Sequence, residues 1–261
     1  MDSGQNRANE FGCKPRFPSV KTMTNPHPRV QTPREAARLL LARTLGFRDC
    51  PPALLDELFA GSQLRHLGKG EFAFRRGDHS LHAGMVVRGL LESSVLRADG
   101  GRHLLGLLPP GGVFGLIGAI DDQVHSHDLS AREDCDVLAI PAALLRELRR
   151  RDVAFVLACE RQLIERTSLL FERLMVDSSV PLEARVASML LMLGNLHGHE
   201  EGGQLVIDAK LSQSDLADWL GLSRQRVNFA LKQLADEGLI TRQYASLTVV
   251  DPVRLRLRAQ S

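Results

Sequence analysis

A chain of 261 residues, 44% hydrophobic and 25% charged, is long enough for two ordinary domains with buried cores, and its composition excludes a wholly disordered protein. No run of about 18 apolar residues is present and the N-terminus lacks the basic, apolar and small-residue succession of a secretory signal, so a cytoplasmic protein with no membrane partner is expected. The net charge of +2 hides an asymmetry: residues 1–34 carry 6 Lys/Arg against 2 acids and residues 210–261 carry 8 against 5, leaving 19 basic and 24 acidic side chains between them. Positive ends around a negative middle matter more for nucleic-acid binding than the total does.

Residues 1–31, with Pro15, Pro18, Pro26 and Pro28 and no hydrophobic period, read as a disordered basic tail. Order is expected from Thr32, which can cap a helix with Pro33 at its first position and Glu35 reaching back, ahead of Ala36, Leu39, Leu40 and Ala42. A second helix is expected from Pro52 to about Ala60. From Leu64 to about Ile140, short apolar runs alternate with turn signals such as Arg76-Gly77-Asp78, Asp99-Gly100-Gly101 and Pro109-Pro110-Gly111-Gly112, which implies a compact antiparallel barrel or sandwich. Residues 32–150 are thus read as one domain, a barrel or sandwich with N-terminal helices.

From Ala142 to about Met175 the period is helical, with no Pro or Gly for 34 residues. Val156, Leu163, Leu170 and Leu174 mark one apolar stripe; Leu157, Ile164, Phe171 and Met175 mark its neighbour. A surface that wide needs cover on two sides: the barrel on one and, on the other, either a twin helix, with Leu163 and Leu170 in a dimer seam, or the core of the same chain. Residues 151–180 are therefore read as a dimerisation helix and a hinge at Asp177-Ser178-Ser179-Val180-Pro181, followed by a smaller helical domain over 181–261.

Residues 213–232, QSDLADWLGLSRQRVNFALK, fit two short helices crossing at a tight turn. Ala217 is small where the helices touch and Gly221 supplies the turn. Leu216, Leu220, Leu222, Val227 and Ala230 fill the space between, while Ser212 (with Asp215 three residues on) and Ser223 stand at N-cap positions. The outward face of the second helix carries Arg224, Gln225, Arg226 and Asn228, types that make bidentate hydrogen bonds to base edges, with Lys232 placed for a phosphate. Ser212, Gln213, Ser223, Arg224, Gln225, Arg226, Asn228 and Lys232 are the expected contacts to double-stranded DNA. Strands at Ile240 to Tyr244 and Leu247 to Val250 read as a wing. One winged helix-turn-helix reaches one half-site, so a homodimer on a palindrome is expected.

In this order, Lys69-Gly70-Glu71, Phe74-Arg75-Arg76-Gly77-Asp78, Pro110-Gly111-Gly112-Val113-Phe114-Gly115, Leu182-Glu183-Ala184-Arg185, Leu211-Ser212-Gln213, Gly221-Leu222-Ser223-Arg224 and Glu237-Gly238-Leu239-Ile240 resemble the cyclic-AMP receptor protein and fumarate/nitrate-reduction regulator (Crp/Fnr) superfamily of transcription regulators over residues 52–256. The resemblance implies an α+β fold: an N-terminal cyclic-nucleotide-binding-like β-roll, a long dimerisation helix and a C-terminal winged helix-turn-helix. It also implies contact with RNA polymerase.

Three departures matter. The Glu and the Arg-Ser pair that hold the ribose and phosphate in cyclic-AMP-binding members align with Leu116, after Gly115, and with His125-Ser126; the two helix positions that meet the adenine align with Leu170 and Phe171. These six residues are the expected effector pocket, and control by cyclic AMP is not expected, because a buried phosphate without its Arg is an unpaired anion. The N-terminal cysteine run of iron-sulfur members is absent, since Cys13, Cys50, Cys135 and Cys159 lie far apart. At the recognition helix only the first reading Arg is kept, as Arg224; Gln225 replaces a Glu and Phe229 a later Arg, so the half-site should differ.

No cofactor is expected. The alternative within the superfamily is a sensor of haem or of another, unidentified small molecule, with His82, His103, His125 and His127 as candidate axial ligands. The pairs His125-x-His127 and His197-x-His199 could hold a metal only with a third ligand, and none is expected. A β-roll enzyme is the rival from another class; the sequence offers no metal-ligand cluster and no nucleophile with a base partner, so no catalytic residue is assigned. A protein-binding adaptor is the other rival, disfavoured by the Arg/Gln/Arg/Asn face.

Overall fold

The structure, a computed structural model, describes residues 32–97, 100–174, 180–207, 211–243 and 246–260. The expected tail, most of the hinge and Tyr244 of the wing lie outside these residues.

Helix α1 (Pro33–Leu41) starts at the expected reciprocal cap: Glu35 N donates to Thr32 Oγ1 at 3.3 Å and Thr32 N to Glu35 Oε2 at 3.1 Å. After a 3-10 turn (Phe47–Asp49), α2 (Pro52–Ala60) has Pro at its first position, where the missing N–H costs nothing. The roll follows as β1 (Gln63–Leu67), β2 (Phe72–Phe74), β3 (His82–Arg88), β4 (Leu91–Leu96), β5 (Arg102–Leu108) and β6 (Val113–Phe114), then the short α3 (Leu116–Asp121), β7 (Asp128–Ala131) and β8 (Cys135–Pro141). Two four-stranded antiparallel sheets, ordered β1-β8-β3-β6 and β2-β7-β4-β5, make up the sandwich that the strand spacing implied. Between them lie Leu67, Phe74, Val86, Leu91, Phe114, Leu129 and Val137; the helices pack on the outer face of the first sheet.

The 34-residue helical stretch is two helices, not one. Helix α4 (Ala142–Arg151) stops at Asp152, whose backbone is extended (φ −131°) and whose Oδ1 accepts from Phe155 N at 3.1 Å, capping α5 (Val153–Leu174). An N-cap ends one helix and starts the next without Pro or Gly. On α5 the side buried against the domain is Phe155, Ala158, Cys159 and Gln162, with Leu163 half-buried; Gln162 Nε2 donates to Leu45 O at 2.6 Å. Gly46 (φ +79°) is required where the turn meets α5, because a Cβ there would lie 2.6 Å from Ala158 O. The outward side carries Val153, Leu157, Ile164 and Phe171, with Leu170 beside them. Of the two residues expected in a seam, Leu163 packs on the core and Leu170 is exposed; the uncovered line is Leu157-Ile164-Phe171, repeating every seven residues.

The C-terminal part comprises α6 (Leu182–His197), β9 (Gly198–Glu201), β10 (Gln204–Ile207), α7 (Gln213–Leu220), α8 (Arg224–Asp236), β11 (Ile240–Gln243), β12 (Ser246–Val249) and α9 (Pro252–Arg258). The wing strands β11 and β12 belong to a four-stranded sheet ordered β11-β12-β10-β9, which sequence reasoning did not anticipate. His197 and His199 are consequently not loop residues: His197 ends α6 and is buried, and His199 lies in β9.

The core of this part is continuous with the roll. Leu104 and Leu107 of β5 join Val186, Leu190, Leu216, Trp219, Val227, Leu231 and Leu234 in one buried cluster. Helix α7 therefore rests on the β4–β5 sheet, whose edge forms its floor.

Candidate nucleic-acid interface

Helices α7 and α8 are joined by Gly221-Leu222-Ser223, with Gly221 in the left-handed region (φ +63°) that a Cβ disfavours. Ser212 caps α7 reciprocally: Asp215 N donates to Ser212 Oγ at 3.2 Å, and Ser212 N and Oγ donate to Asp215 Oδ2 at 2.7 and 2.6 Å. Ser223 caps α8, accepting from Arg226 N at 3.4 Å. At the other end of α7, Arg185 Nη2 donates to Leu220 O at 3.4 Å, a cation on the negative end of a helix. Leu216, Ala217, Val227 and Ala230 are buried between the helices, as expected, and Leu220 and Leu222 are half-buried against them.

With Val227, Ala230, Leu231 and Leu234 of α8 committed to the core, the opposite side faces solvent: Arg224, Gln225, Arg226, Asn228 and Lys232 are all exposed, with Phe229 among them. Two of these are oriented by neighbours. Arg224 Nε donates to Gln213 Oε1 at 3.3 Å, so the first residue of α7 aligns the guanidinium at the start of α8. Arg242, on wing strand β11, donates to Asn228 Oδ1 at 3.2 Å. Asn228, expected to read a base, thus has one lone pair of its amide oxygen engaged by the wing, while its second lone pair and its NH2 stay available. Ser212 spends its hydroxyl proton on Asp215 and so holds the N-terminus of α7.

A partly buried ion-pair network ties this unit to the roll. Arg132 pairs with Glu92 at 3.0 Å and through two nitrogens with Asp215, one at 3.1 Å; Arg102 pairs with Glu92, with Asp215 at 2.7 Å and with Asp218 at 3.3 Å. Asp215 is 4% exposed and its carboxyl is held well below the usual range: burial opposes ionisation, but hydrogen bonds from Arg132 and Ser212 overcome it. A residue read from sequence as half of a capping box therefore also anchors the domain to the sheet beneath it.

Comparison with known proteins reproduces this two-part layout. A cyclic nucleotide-binding domain matches residues 64–152 and a Crp-like helix-turn-helix domain matches residues 184–258, together more than half of the chain. The chain belongs to the Crp/Fnr family of transcription regulators. The CRP-like cAMP-activated global transcriptional regulator of Mycobacterium tuberculosis is 26% identical over 225 residues, covering 85% of this chain and 99% of that one. The transcriptional activator protein Anr of Pseudomonas protegens is also 26% identical over 225 residues, covering 84% and 88%. Among solved structures, FixK2 from Bradyrhizobium japonicum superposes with a TM-score of 0.66 at 22% identity, covering 75% of this chain and 96% of that one. A CooA mutant from Carboxydothermus hydrogenoformans gives 0.64 at 17%, covering 77% and 88%. The relatives are transcription regulators, and no helix among the described residues is long and apolar enough to cross a membrane.

Of the six expected effector-pocket residues of this Crp/Fnr protein, Gly115 and His125 stand side by side, a Cβ at Gly115 falling 3.6 Å from His125 Cε1. Leu116 is buried in the core beneath the first sheet, Gly115 (φ +69°) turns the chain into α3, and Ser126, Leu170 and Phe171 are exposed. His125 is buried and lies flat on Phe74, ring centroids 3.5 Å apart, with His127 edge-on to the same ring at 5.4 Å. Burial pushes the pKa of His125 down; His127 is lowered by burial and then by Arg166 and His125. Arg166 was not singled out from sequence. It reaches from α5 to donate to Val113 O, so a guanidinium does stand by the roll, supplied by the helix. Of the other histidines considered as axial ligands, His82 is exposed on β3 and His103 half-buried on β5. Cys50, Cys135 and Cys159 are buried free thiols, and burial pushes Cys159 up to about 12, which makes it inert as a thiolate. No group of three or more His, Cys, Asp or Glu placed for a metal occurs among the described residues.

Proposed function

We propose that this Crp/Fnr regulator binds a palindromic promoter site as a cytoplasmic homodimer and acts through contact with RNA polymerase, without control by cyclic AMP and without catalytic activity of its own. The observation that carries the reading is α8: a helix with one side locked into a core and the other presenting Arg224, Gln225, Arg226, Asn228 and Lys232 to solvent, backed by a wing. Arg224, aligned by Gln213, reads guanine; Gln225 reads adenine; Lys232 and Arg242 take phosphates. The dimer reading rests on the uncovered Leu157-Ile164-Phe171 line. Leu157 and Ile164 also wall a groove completed by Gly46 and Asp49, so the apolar surface on this side of α5 is concave as well as uncovered.

The division of labour on α8 is tested by binding-site selection with two variants. Gln225→Glu is expected to move one symmetric pair of positions toward cytosine, because a carboxylate accepts from its amino group and repels N7 of adenine. Lys232→Ala is expected to keep the selected sequence while weakening binding and flattening its salt dependence, because fewer counterions are released. An unchanged sequence for Gln225→Glu, or a new one for Lys232→Ala, contradicts the roles.

The cyclic-AMP part rests on Leu116, an apolar side chain buried among the helices at the position aligned with the ribose-binding Glu, and on His125, stacked against Phe74 at the position aligned with the phosphate-binding Arg. Calorimetric titration with cyclic AMP is expected to give no saturable heat at micromolar affinity; a clear isotherm contradicts it. An effector bound where α5 meets the roll near Arg166 and His127 would encounter a cation, which suits an anion better than a metal or a haem edge.

A further inference from the structure

Phe229 is 60% exposed, one turn from Gln225 and from Lys232 on the DNA-facing side of α8. Neither folding nor helix propensity accounts for it. The core beneath α8 is already filled by Val227, Ala230, Leu231 and Leu234, and among the described residues no ring or guanidinium stacks on Phe229. Phe is also a poorer helix former than the Arg, Gln or Lys around it. An aromatic ring held in water amid base-reading side chains gains its burial only when the partner arrives.

The floor of the major groove is a row of hydrogen-bond donors and acceptors, with a single apolar group: the C5-methyl of thymine. We infer that Phe229 is a specificity-determining residue that packs on a thymine methyl in each half-site, beside the base pairs read by Arg224 and Gln225. The inference rests on the DNA-binding reading above and adds to it a position read without hydrogen bonds. Where the sequence aligned Phe229 with a lost Arg, the consequence is a changed preference rather than a missing contact.

The test uses the full chain and the half-site it selects from random duplex. Each thymine of that half-site is replaced in turn by uracil, which differs only by the missing methyl. At one thymine the replacement is expected to weaken the wild-type protein about fourfold per half-site and about fifteenfold when both are changed. Phe229→Ala opens no cavity, since the side chain is exposed, and should bind the thymine and uracil duplexes equally while keeping the preferences due to Arg224 and Gln225. Phe229→Leu should retain part of the discrimination. The inference is overturned by a selected half-site without thymine, by wild-type affinity that no uracil alters, or by equal uracil sensitivity in Phe229→Ala. If no sequence is selected at all, the DNA-binding reading falls as well, and the two failures are thereby told apart.

Discussion

Replacing Asp215 by Ala is expected to lower stability by about 3–5 kcal/mol, nearer the lower figure because Arg102 keeps 35% of its side-chain surface in water. The cost comes from what remains: Arg132, 19% exposed, loses two of its hydrogen-bonded acceptor contacts, and the N-terminus of α7 loses its reciprocal cap. Trp219, one turn along α7, is the single tryptophan of the chain and is buried, so urea unfolding followed by its fluorescence reports on this unit. Asp215→Asn, which keeps the shape and a capping acceptor, should fall between Ala and the wild type. The pH dependence has a definite sign. The folded carboxyl titrates below its ordinary range, so its contribution is complete above about pH 4, the usual unfolded value, and is lost as pH falls below that. The wild type should therefore lose stability toward acid more steeply than Asp215→Asn. Equal urea midpoints for wild type and Asp215→Ala would show that the network does not hold α7 on the sheet.

Ile164→Glu combined with Phe171→Glu is expected to yield a monomer. Both side chains are uncovered, at 61% and 60% exposure, so neither change disturbs the core; in a two-fold pairing of α5 they would place four carboxylates in one seam. With the half-sites uncoupled, affinity for the full palindrome should fall by about 10²–10⁴-fold while the weak affinity for a single half-site persists. Sedimentation gives the mass and Trp219 fluorescence verifies the fold. A double variant that still sediments as a dimer places the interface elsewhere; Leu163→Glu, by contrast, should destabilise the domain, because Leu163 packs on its core.

The helix-turn-helix was legible to the residue because its determinants are local: Ser212, Gly221 and Ser223 act on backbone within three positions of themselves. The capping box at Thr32 and the strands between turn signals were legible for the same reason. Asp152 carried a readable signal, an N-cap residue ahead of an apolar run, but a stretch without Pro or Gly masks a break made by capping alone. The stripe on α5 was visible, its phase was not: two adjacent apolar lines have the same period, and only the roll and the turn at Gly46 decide which one is covered. The network of Glu92, Arg102, Arg132, Asp215 and Asp218 left no trace, since residues up to 116 apart meet through tertiary folding. Arg166 and Arg242 escaped likewise, each looking like an ordinary exposed cation on its own element. For the effector positions, alignment gives places in the chain but not surroundings: that Leu116 packs with the helices and His125 lies flat on Phe74 follows only from the tertiary fold.

The central claim is that the exposed side of α8 reads base sequence. It is tested most directly by measuring, at one stated salt concentration, the affinity of the wild-type protein and of Arg224→Ala for the selected palindrome and for random duplex. The wild type should prefer the palindrome by about 10³-fold or more. Arg224→Ala should lose about 1–3 kcal/mol of that preference in each half-site while its affinity for random duplex changes little. A palindrome preference that survives Arg224→Ala intact, or a wild-type protein that binds both duplexes alike, would contradict the account.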